Sequence, residues 1–264
     1  MSNLKGVFIA YKKDGTKYYR SSLTYRNKHI SLGSYTTEFY ANTAYNEGSK
    51  IISNTEITID NLEEHITILS FEKCISLINF RDNGIYFKTP IYMHQRYFDY
   101  YLTDEIILKF DVDDLFFYAK HTIMKRDGHL FVADYGMQLN IMSRYGIKNY
   151  AVAGKDYIFK NGDYYDFRYK NIEIINRYYG VTKEVKRGKN IYICKIHING
   201  DFIVGKYQDE SDAAIAYNKA VDILAENGIH HDYNKNYIDN LSSMEYATRY
   251  NKIKISNKIR NYKE

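Results

Sequence analysis

Residues 191–228 read IYICKIHINGDFIVGKYQDESDAAIAYNKAVDILAENG, and the change of period inside this stretch decides the fold. From Ile191 to Ile198 the pattern alternates: Tyr192, Cys194, Ile196 and Ile198 share one face, and Ile191, Ile193, Lys195 and His197 share the other. Alternation marks a half-buried strand, because successive side chains of an extended chain point to opposite sides. Asn199-Gly200 supplies residues tolerant of positive φ for a tight turn, so Phe202 to Lys206 is expected to return as the next strand of a hairpin. From Asp209 the period lengthens: Ala213, Ala216, Tyr217, Ala220 and Leu224 recur at spacings of three and four, and Asn227-Gly228 ends the run. That is an amphipathic helix of about five turns with a glycine stop. Its small alanines let it lie close to a sheet. Gly180 to Glu184, ahead of an Arg187-Gly188-Lys189-Asn190 turn, supplies the first of three strands.

The same signals recur near the start of the sequence. Gly6-Val7, Leu32-Gly33-Ser34-Tyr35 and Ala44-Tyr45-Asn46 match Gly180-Val181, Val204-Gly205-Lys206-Tyr207 and Ala216-Tyr217-Asn218. In both copies the second glycine precedes the helical tyrosine by twelve positions, with Glu38 and Ala41 in step with Glu210 and Ala213. The match continues in Ile59-Asp60-Asn61-Leu62 and Ile238-Asp239-Asn240-Leu241. The first copy therefore predicts strands near Val7 to Tyr11, Tyr18 to Tyr25 and His29 to Gly33, an Asp14-Gly15 turn, and a helix from about Thr37 to Ile52. The expected fold class is α+β and multidomain: two small modules, each a three-stranded antiparallel sheet plus a helix, around a central α+β domain. The expected division is 1–65 for copy one, 66–105 for a connecting segment packed on the middle domain, 106–177 for the middle domain, 178–248 for copy two and 249–264 for a basic tail.

The bulk numbers restrict the setting. Of 264 residues, 45% are hydrophobic, ample for folded cores. No stretch approaches 18 uncharged apolar residues, and Met1 to Lys17 lacks the apolar run of a secretion signal, so neither membrane nor export is implied and a cytoplasmic location is expected. Cys74 and Cys194 stand far apart without a CxxC, which argues against a disulfide or thiolate zinc site. Thirty tyrosines accompany a single proline, Pro90, a bias expected of an A+T-rich genome and of little functional weight. The net charge of +5 permits nucleic-acid binding without demanding it.

One helix covers one face of each sheet, so the other face is left to meet something. In copy two that face and its turns carry Lys183, Lys186, Arg187, Lys189 and Lys195 against Glu184 and Asp201. In copy one Arg20, Ser22, Thr24 and Arg26 are expected outward, with Lys12, Lys13, Lys17 and Lys28 around the turns. The order strand, strand, Gly-x-Tyr, then Glu-x-x-Ala-x-x-Ala-Tyr-Asn resembles the plant Apetala-two/ethylene-response-factor DNA-binding domain and its bacterial and phage relatives. In that family the three-stranded sheet enters the major groove. The resemblance implies double-stranded DNA as partner, with Lys195, His197 and Ile203 at base-facing positions, Thr182 and Glu184 on the first strand, and Tyr192 at a site the family fills with tryptophan.

Between the copies, Tyr157 to Asn176 reads YIFKNGDYYDFRYKNIEIIN. It is similar to the core of the His-Asn-His homing endonucleases: Asn161-Gly162-Asp163, Asp166, Arg168 and Asn171-Ile172 hold register. Phe159 stands where that family has its histidine base, Phe167 where it has an asparagine, and Asn140 replaces an upstream histidine. Hydrolysis by such a site needs an imidazole to activate water and a metal to stabilise the leaving oxygen, and phenylalanine supplies neither. The expectation is a non-enzymatic scaffold with no cofactor and no metal, Asp163 and Asp166 being structural and His94, His121 and His230-His231 too isolated to act as ligands. Ile66 to Phe80 reads as helix or strand, and Tyr92, Tyr97, Tyr100 and Tyr101 mark an aromatic segment. Arg249, Lys252, Lys254, Lys258, Arg260 and Lys263 form a basic tail that either tracks phosphates or is simply solvated. The leading expectation is a sequence-specific double-stranded-DNA-binding transcriptional regulator derived from a mobile-element nuclease. Its rivals are an active homing-type endonuclease and an architectural or recombination accessory that bridges DNA sites.

Overall fold

The fold, taken from a computed structural model, is described for residues 4–149 and 151–263. It is α+β, built from small antiparallel sheets and helices, and the chain divides into two compact units: Met1–Tyr145 with Asn161–Ile172, and Gly146–Lys160 with Glu173–Glu264. Among the described residues no helix is long and apolar enough to cross a membrane.

In the first unit, β1 (Val7–Tyr11), β2 (Lys17–Tyr25) and β3 (Lys28–Tyr35) form an antiparallel meander, followed by α1 (Glu38–Ser53). The Thr37 hydroxyl caps α1 by accepting from the Tyr40 N–H, and Ala41, Ala44, Gly48 and Ile51 are buried along one stripe. Helix α2 (Phe71–Asn83) settles the ambiguity over Ile66 to Phe80. Its buried residues Cys74, Ile75, Leu77, Ile78 and Phe80 join Leu23, Ile30, Leu32, Ala44 and Ile51 in one core cluster. The first part of the expected connecting segment thus completes the core of copy one. The physical reason is supply: an eight-residue strand and a 16-residue helix expose more apolar surface than one sheet can cover. The buried Glu47 carboxylate ties the two helices by accepting the backbone N–H groups of Thr67, Ile68 and Leu69, at 2.7 to 3.3 Å, and the Thr67 hydroxyl at 2.7 Å. Arg81, on α2, donates one guanidinium nitrogen to the carbonyls of Ile51, Asn54 and Ile57, satisfying the end of α1.

The chain continues through β4 (Ile91–Met93), β5 (Tyr97–Tyr101) and β6 (Ile107–Asp111), which form a second sheet, and the one-turn helix α3 (Leu115–Tyr118). Phe98 and Tyr100 pack with Phe110 and Tyr118, and Phe167 stacks on Phe110, so this later part of the segment does join the central residues. A third small sheet follows in β7 (Ile123–Arg126), β8 (His129–Asp134) and β9 (Met137–Asn140).

In the second unit β10 (Tyr157–Phe159) pairs with β11 (Ile172–Ile174). The second copy then repeats the plan of the first: β12 (Val181–Lys186), β13 (Lys189–His197), β14 (Asp201–Tyr207) and α4 (Glu210–Glu226). The Arg187-Gly188 pair makes the β12–β13 turn, with φ of 51° and 73°, whereas Asn199 and Gly200 turn the chain without positive φ. The expected basic tail is folded: α5 (Ser243–Lys252) and α6 (Asn257–Arg260) pack on α4, and Ile253, Ile255 and Ile259 are buried in the core of the module. Arg249 pairs with Asp209 and Asp212 instead of facing a phosphate.

The repeated Gly-Val and Ala-Tyr-Asn segments have a shared mechanical meaning. Gly6 and Gly180 both take left-handed backbone, with φ of 74° and 68°, directly beneath the tyrosine of the helix. A Cβ would fall 1.9 Å from Tyr45 Cδ2 at the first site and 2.4 Å from Tyr217 Cδ2 at the second. Each tyrosine covers a glycine that must have no side chain.

Candidate nucleic-acid interface

Both sheets carry a β-bulge at the same place, and it decides which side chains share a face. In copy one Ser21 pairs with Gly33 and Ser22 with Ser31, leaving Leu32 as the extra residue. In copy two Cys194 pairs with Gly205 and Lys195 with Ile203, leaving Val204. The extra residue shifts the alternation of the third strand by one.

In copy two the face away from α4 carries the rows Thr182–Ile193–Lys206, Glu184–Ile191, Lys186–Lys189, Lys195–Ile203 and His197–Asp201. Lys186, Lys189, Lys195, His197 and Lys206 are exposed, and Arg187 is exposed at the hairpin tip. Both carboxylates on this face are engaged. Glu184 pairs with Lys186 at 3.0 Å, and Asp201 accepts from the His197 ring at 2.9 Å. The hydrogen bond from His197, with Lys195 and Lys155 nearby, holds the Asp201 carboxyl below the usual carboxylate range.

Several expected positions lie elsewhere. Lys183 pairs with Tyr192 and Tyr207 in a row on the helix side, and the Tyr192 ring packs against the module core, so neither is on the open face. Lys189 is a strand residue paired with Lys186, not part of the turn. Ile193 has open-face parity but is only 6% exposed. Lys206 was hidden in the sequence, because uninterrupted alternation from the inward Val204 puts it inside; the bulge turns it out.

Copy one differs in charge. Ser22 is the bulge-side equivalent of Lys195, Thr24 of His197 and Ser34 of Lys206, so two lysines and a histidine become hydroxyls. Ser22 has open-face parity but is buried, its N–H bonded to the Gly6 carbonyl at 3.0 Å. Arg26 sits in the two-residue Arg26-Asn27 turn, over the Tyr25 ring and within 3.4 Å of the Phe80 carbonyl. Lys28 lies over the Tyr86 ring, and Lys17 over Tyr19 on the helix side. Arg20 does reach the open face, where it lies over the Tyr18 ring and bonds its hydroxyl. Lys12 and Lys13 are exposed in the β1–β2 turn, and Thr24 is exposed on β2. The outward face of copy one is therefore not cationic throughout.

The Asn161–Asn171 motif is consumed internally. Asp166, 1% exposed, accepts from Asn161 at 2.9 Å and from both arms of Arg168 at 2.7 and 2.6 Å. Burial raises its pKa, but these donors outweigh burial and hold it below the usual range. The Asn171 amide donates to the Asp166 carbonyl, and Asn171 Oδ1 accepts from the Asn161 N–H. Asp163 instead accepts from the Tyr165 N–H and faces Lys109 at 3.6 Å. Among the described residues no three His, Cys, Asp or Glu side chains converge as a metal site would need.

Asn236 fastens the loop after α4 to the start of copy two. Its side chain exchanges hydrogen bonds with the Tyr179 backbone, and its own backbone exchanges them with the buried Asn218 side chain. Lys148 reaches the same place, its Nζ 3.4 Å from the Tyr179 ring centroid and 3.4 Å from Asn236 Oδ1. Burial pushes the Lys148 ammonium down to about 8. The folded value lies below that of the unfolded chain, so the unfolded state binds more protons above pH 8, and stability tied to this lysine rises from there toward pH 10. Lys148→Met is expected to remove this rise, seen as a flatter melting temperature between about pH 7.5 and 9.5 than in the unchanged protein. Parallel profiles would refute it. No protein-family model matches the chain, and neither the curated proteins nor the solved structures compared with it contain a match.

Proposed function

We propose that this chain is a non-catalytic protein that binds double-stranded DNA with sequence preference, reading the major groove with the open face of β12–β13–β14, and that it acts as a transcriptional regulator. The observation that supports this is the excess of cations on that face: Lys186, Lys189, Lys195, Lys206 and the tip residue Arg187, with His197 among them, against two carboxylates, Glu184 and Asp201. Antiparallel sheets are a known mode of groove reading, with side chains on the strands reaching base edges and cations at the periphery holding phosphates. Lys195 and His197 stand two apart on one strand, so both project toward a groove in the same direction. Copy one, with Ser22, Thr24 and Ser34 at the equivalent positions, supplies hydroxyls rather than charge and plays the smaller part. The polar knot around Asp166 serves as architecture. Phe159, in β10, brings no acid or base.

Duplex affinity is expected to fall steeply between about 50 and 200 mM salt, because each phosphate contact releases counterions. Lys195→Ala should weaken a preferred site selected from random duplexes by about 1 to 3 kcal/mol while changing random DNA less. Arg187→Ala should weaken all sequences alike and make the salt slope shallower by about one. Electrophoretic mobility shifts over a salt series measure both. Retention of no duplex at low salt would overturn the proposal, and an unchanged preference in Lys195→Ala would remove this face as the reader.

A further inference from the structure

Residues 146–148, 151–156 and 174–178 of the second unit flank one end of the open face where Thr182, Lys195 and His197 lie, and border a half-open cavity of about 380 Å³. That size falls in the range of small-ligand sites, roughly 300 to 1,000 Å³. Four basic side chains line it, Lys148, Lys155, Arg177 and Lys195, against two carboxylates, Asp156 and Asp201, and Lys148 is the one whose ammonium burial pushes down to about 8. Both carboxylates hydrogen-bond within the wall and the sheet and keep their charge, so the cations exceed them by two. Asp156 accepts from the Val152 N–H at 2.8 Å and the Asn176 amide at 3.0 Å, and Asp201 accepts from His197 at 2.9 Å. Asn176 is held in turn, its Oδ1 accepting from the Lys183 N–H at 2.8 Å, so the wall that orients Asp156 is fastened to the sheet.

The lining thus keeps a formal surplus of two positive charges in a partly enclosed space, where charge is screened less than on an open surface. Tyr178 and Tyr217 reach the edge of the same cavity but are each only 7% exposed, because their rings belong to the module core. A phosphomonoester carries about −1.5 to −2 charge near pH 7 with three acceptor oxygens, matching the surplus. A backbone diester carries one charge and is chained on both sides, so a partly enclosed site suits it poorly. We propose that this cavity is a phosphomonoester site that holds the phosphate of a nucleotide, with Lys155, Arg177 and Lys195 as the donors. The ligand is either a free nucleotide or the phosphorylated 5′ end of a DNA strand, which present the same group. The site shares Lys195 with the groove-reading face, so it is tested on Lys155, which lies outside β12, β13 and β14.

The full chain is titrated calorimetrically with thymidine 5′-monophosphate, with thymidine, and with a short hairpin duplex carrying either a 5′-phosphate or a 5′-hydroxyl. Binding of the monophosphate at least tenfold tighter than thymidine supports the site and identifies a free nucleotide as sufficient. No binding of the monophosphate, together with a tenfold preference for the phosphorylated hairpin end, supports the site with the strand end as its source. Lys155→Ala should weaken whichever binds by about 10- to 100-fold, the loss expected for one charge-assisted contact, and Lys155→Arg should restore most of it. Lys12→Ala, a lysine of equal charge in the first unit, should change nothing. The inference is overturned if thymidine binds as well as its monophosphate, if neither phosphate-bearing probe is preferred, or if Lys12→Ala weakens binding as much as Lys155→Ala. Loss of duplex binding with the monophosphate site intact would remove the groove reading alone.

Discussion

Gly180→Ala is expected to cost about 2 to 5 kcal/mol of stability, the sum of holding a side-chain-bearing residue in left-handed backbone and of overpacking a filled site. The new Cβ would meet the Lys195 carbonyl oxygen at 2.3 Å and the Tyr217 ring at 2.4 Å. The carbonyl is backbone, and it already accepts no slack: the Gly180 carbonyl takes the Lys195 N–H at 2.7 Å, so β12 cannot retreat without opening the sheet. The equivalent Gly6→Ala is expected to cost less, about 1 to 3 kcal/mol, because its nearest atoms all belong to the half-buried Tyr45 ring, which can swing aside. Urea unfolding of both variants measures the difference. Equal losses, or a Gly180→Ala loss below about 1 kcal/mol, would show that the tyrosine lid is loose.

Glu47→Ala should destabilise the first unit by about 2 to 4 kcal/mol, because it strips a partner from the buried Leu69 N–H and from the part-buried N–H groups of Thr67 and Ile68, and a donor that water cannot reach costs about 1 to 3 kcal/mol. The carboxylate serves three successive backbone N–H groups and one hydroxyl, and it is 8% exposed. Its neighbour Asn46, which the repeat places opposite Asn218, is exposed and bonds only Asn42. Asn46→Ala should therefore stay within about 0.5 kcal/mol. Hydrogen exchange gives the second readout: in Glu47→Ala the amides of Thr67, Ile68 and Leu69 should lose protection before those of β2. Retained protection at all three would refute the assignment.

Much of the fold is legible because periodicity reports burial directly. The two-residue period of Ile191 to Ile198 and the three-to-four period from Ala213 to Leu224 give β13 and α4 to within a few residues, and the repeat transfers both to copy one. The bulge is not legible. One extra residue leaves composition unchanged yet inverts the facing of what lies beyond it on the third strand, which is why plain alternation puts Lys206 on the inner side. Lys183 and Arg26 are misplaced for a related reason: both sit at the periphery, where exposure is compatible with either face. The end of the sequence misleads by contrast. Six cations conceal Ile253, Ile255 and Ile259, and only the packing on α4 shows that the isoleucines rule that segment. The Asp166 knot follows from side-chain hydrogen bonds that no spacing of residues announces.

The placement of the two cysteines has a practical consequence. Cys74 and Cys194 both have no exposed surface, and burial pushes the Cys74 thiol up to about 12 and the Cys194 thiol higher still. A maleimide reacts with thiolate, so the unchanged protein is nearly blank to such reagents at neutral pH. A single cysteine installed at the exposed Arg187 position would then be the one handle on the molecule. A fluorophore or a photo-crosslinker can be tethered to the hairpin tip with both native thiols left where the cores need them.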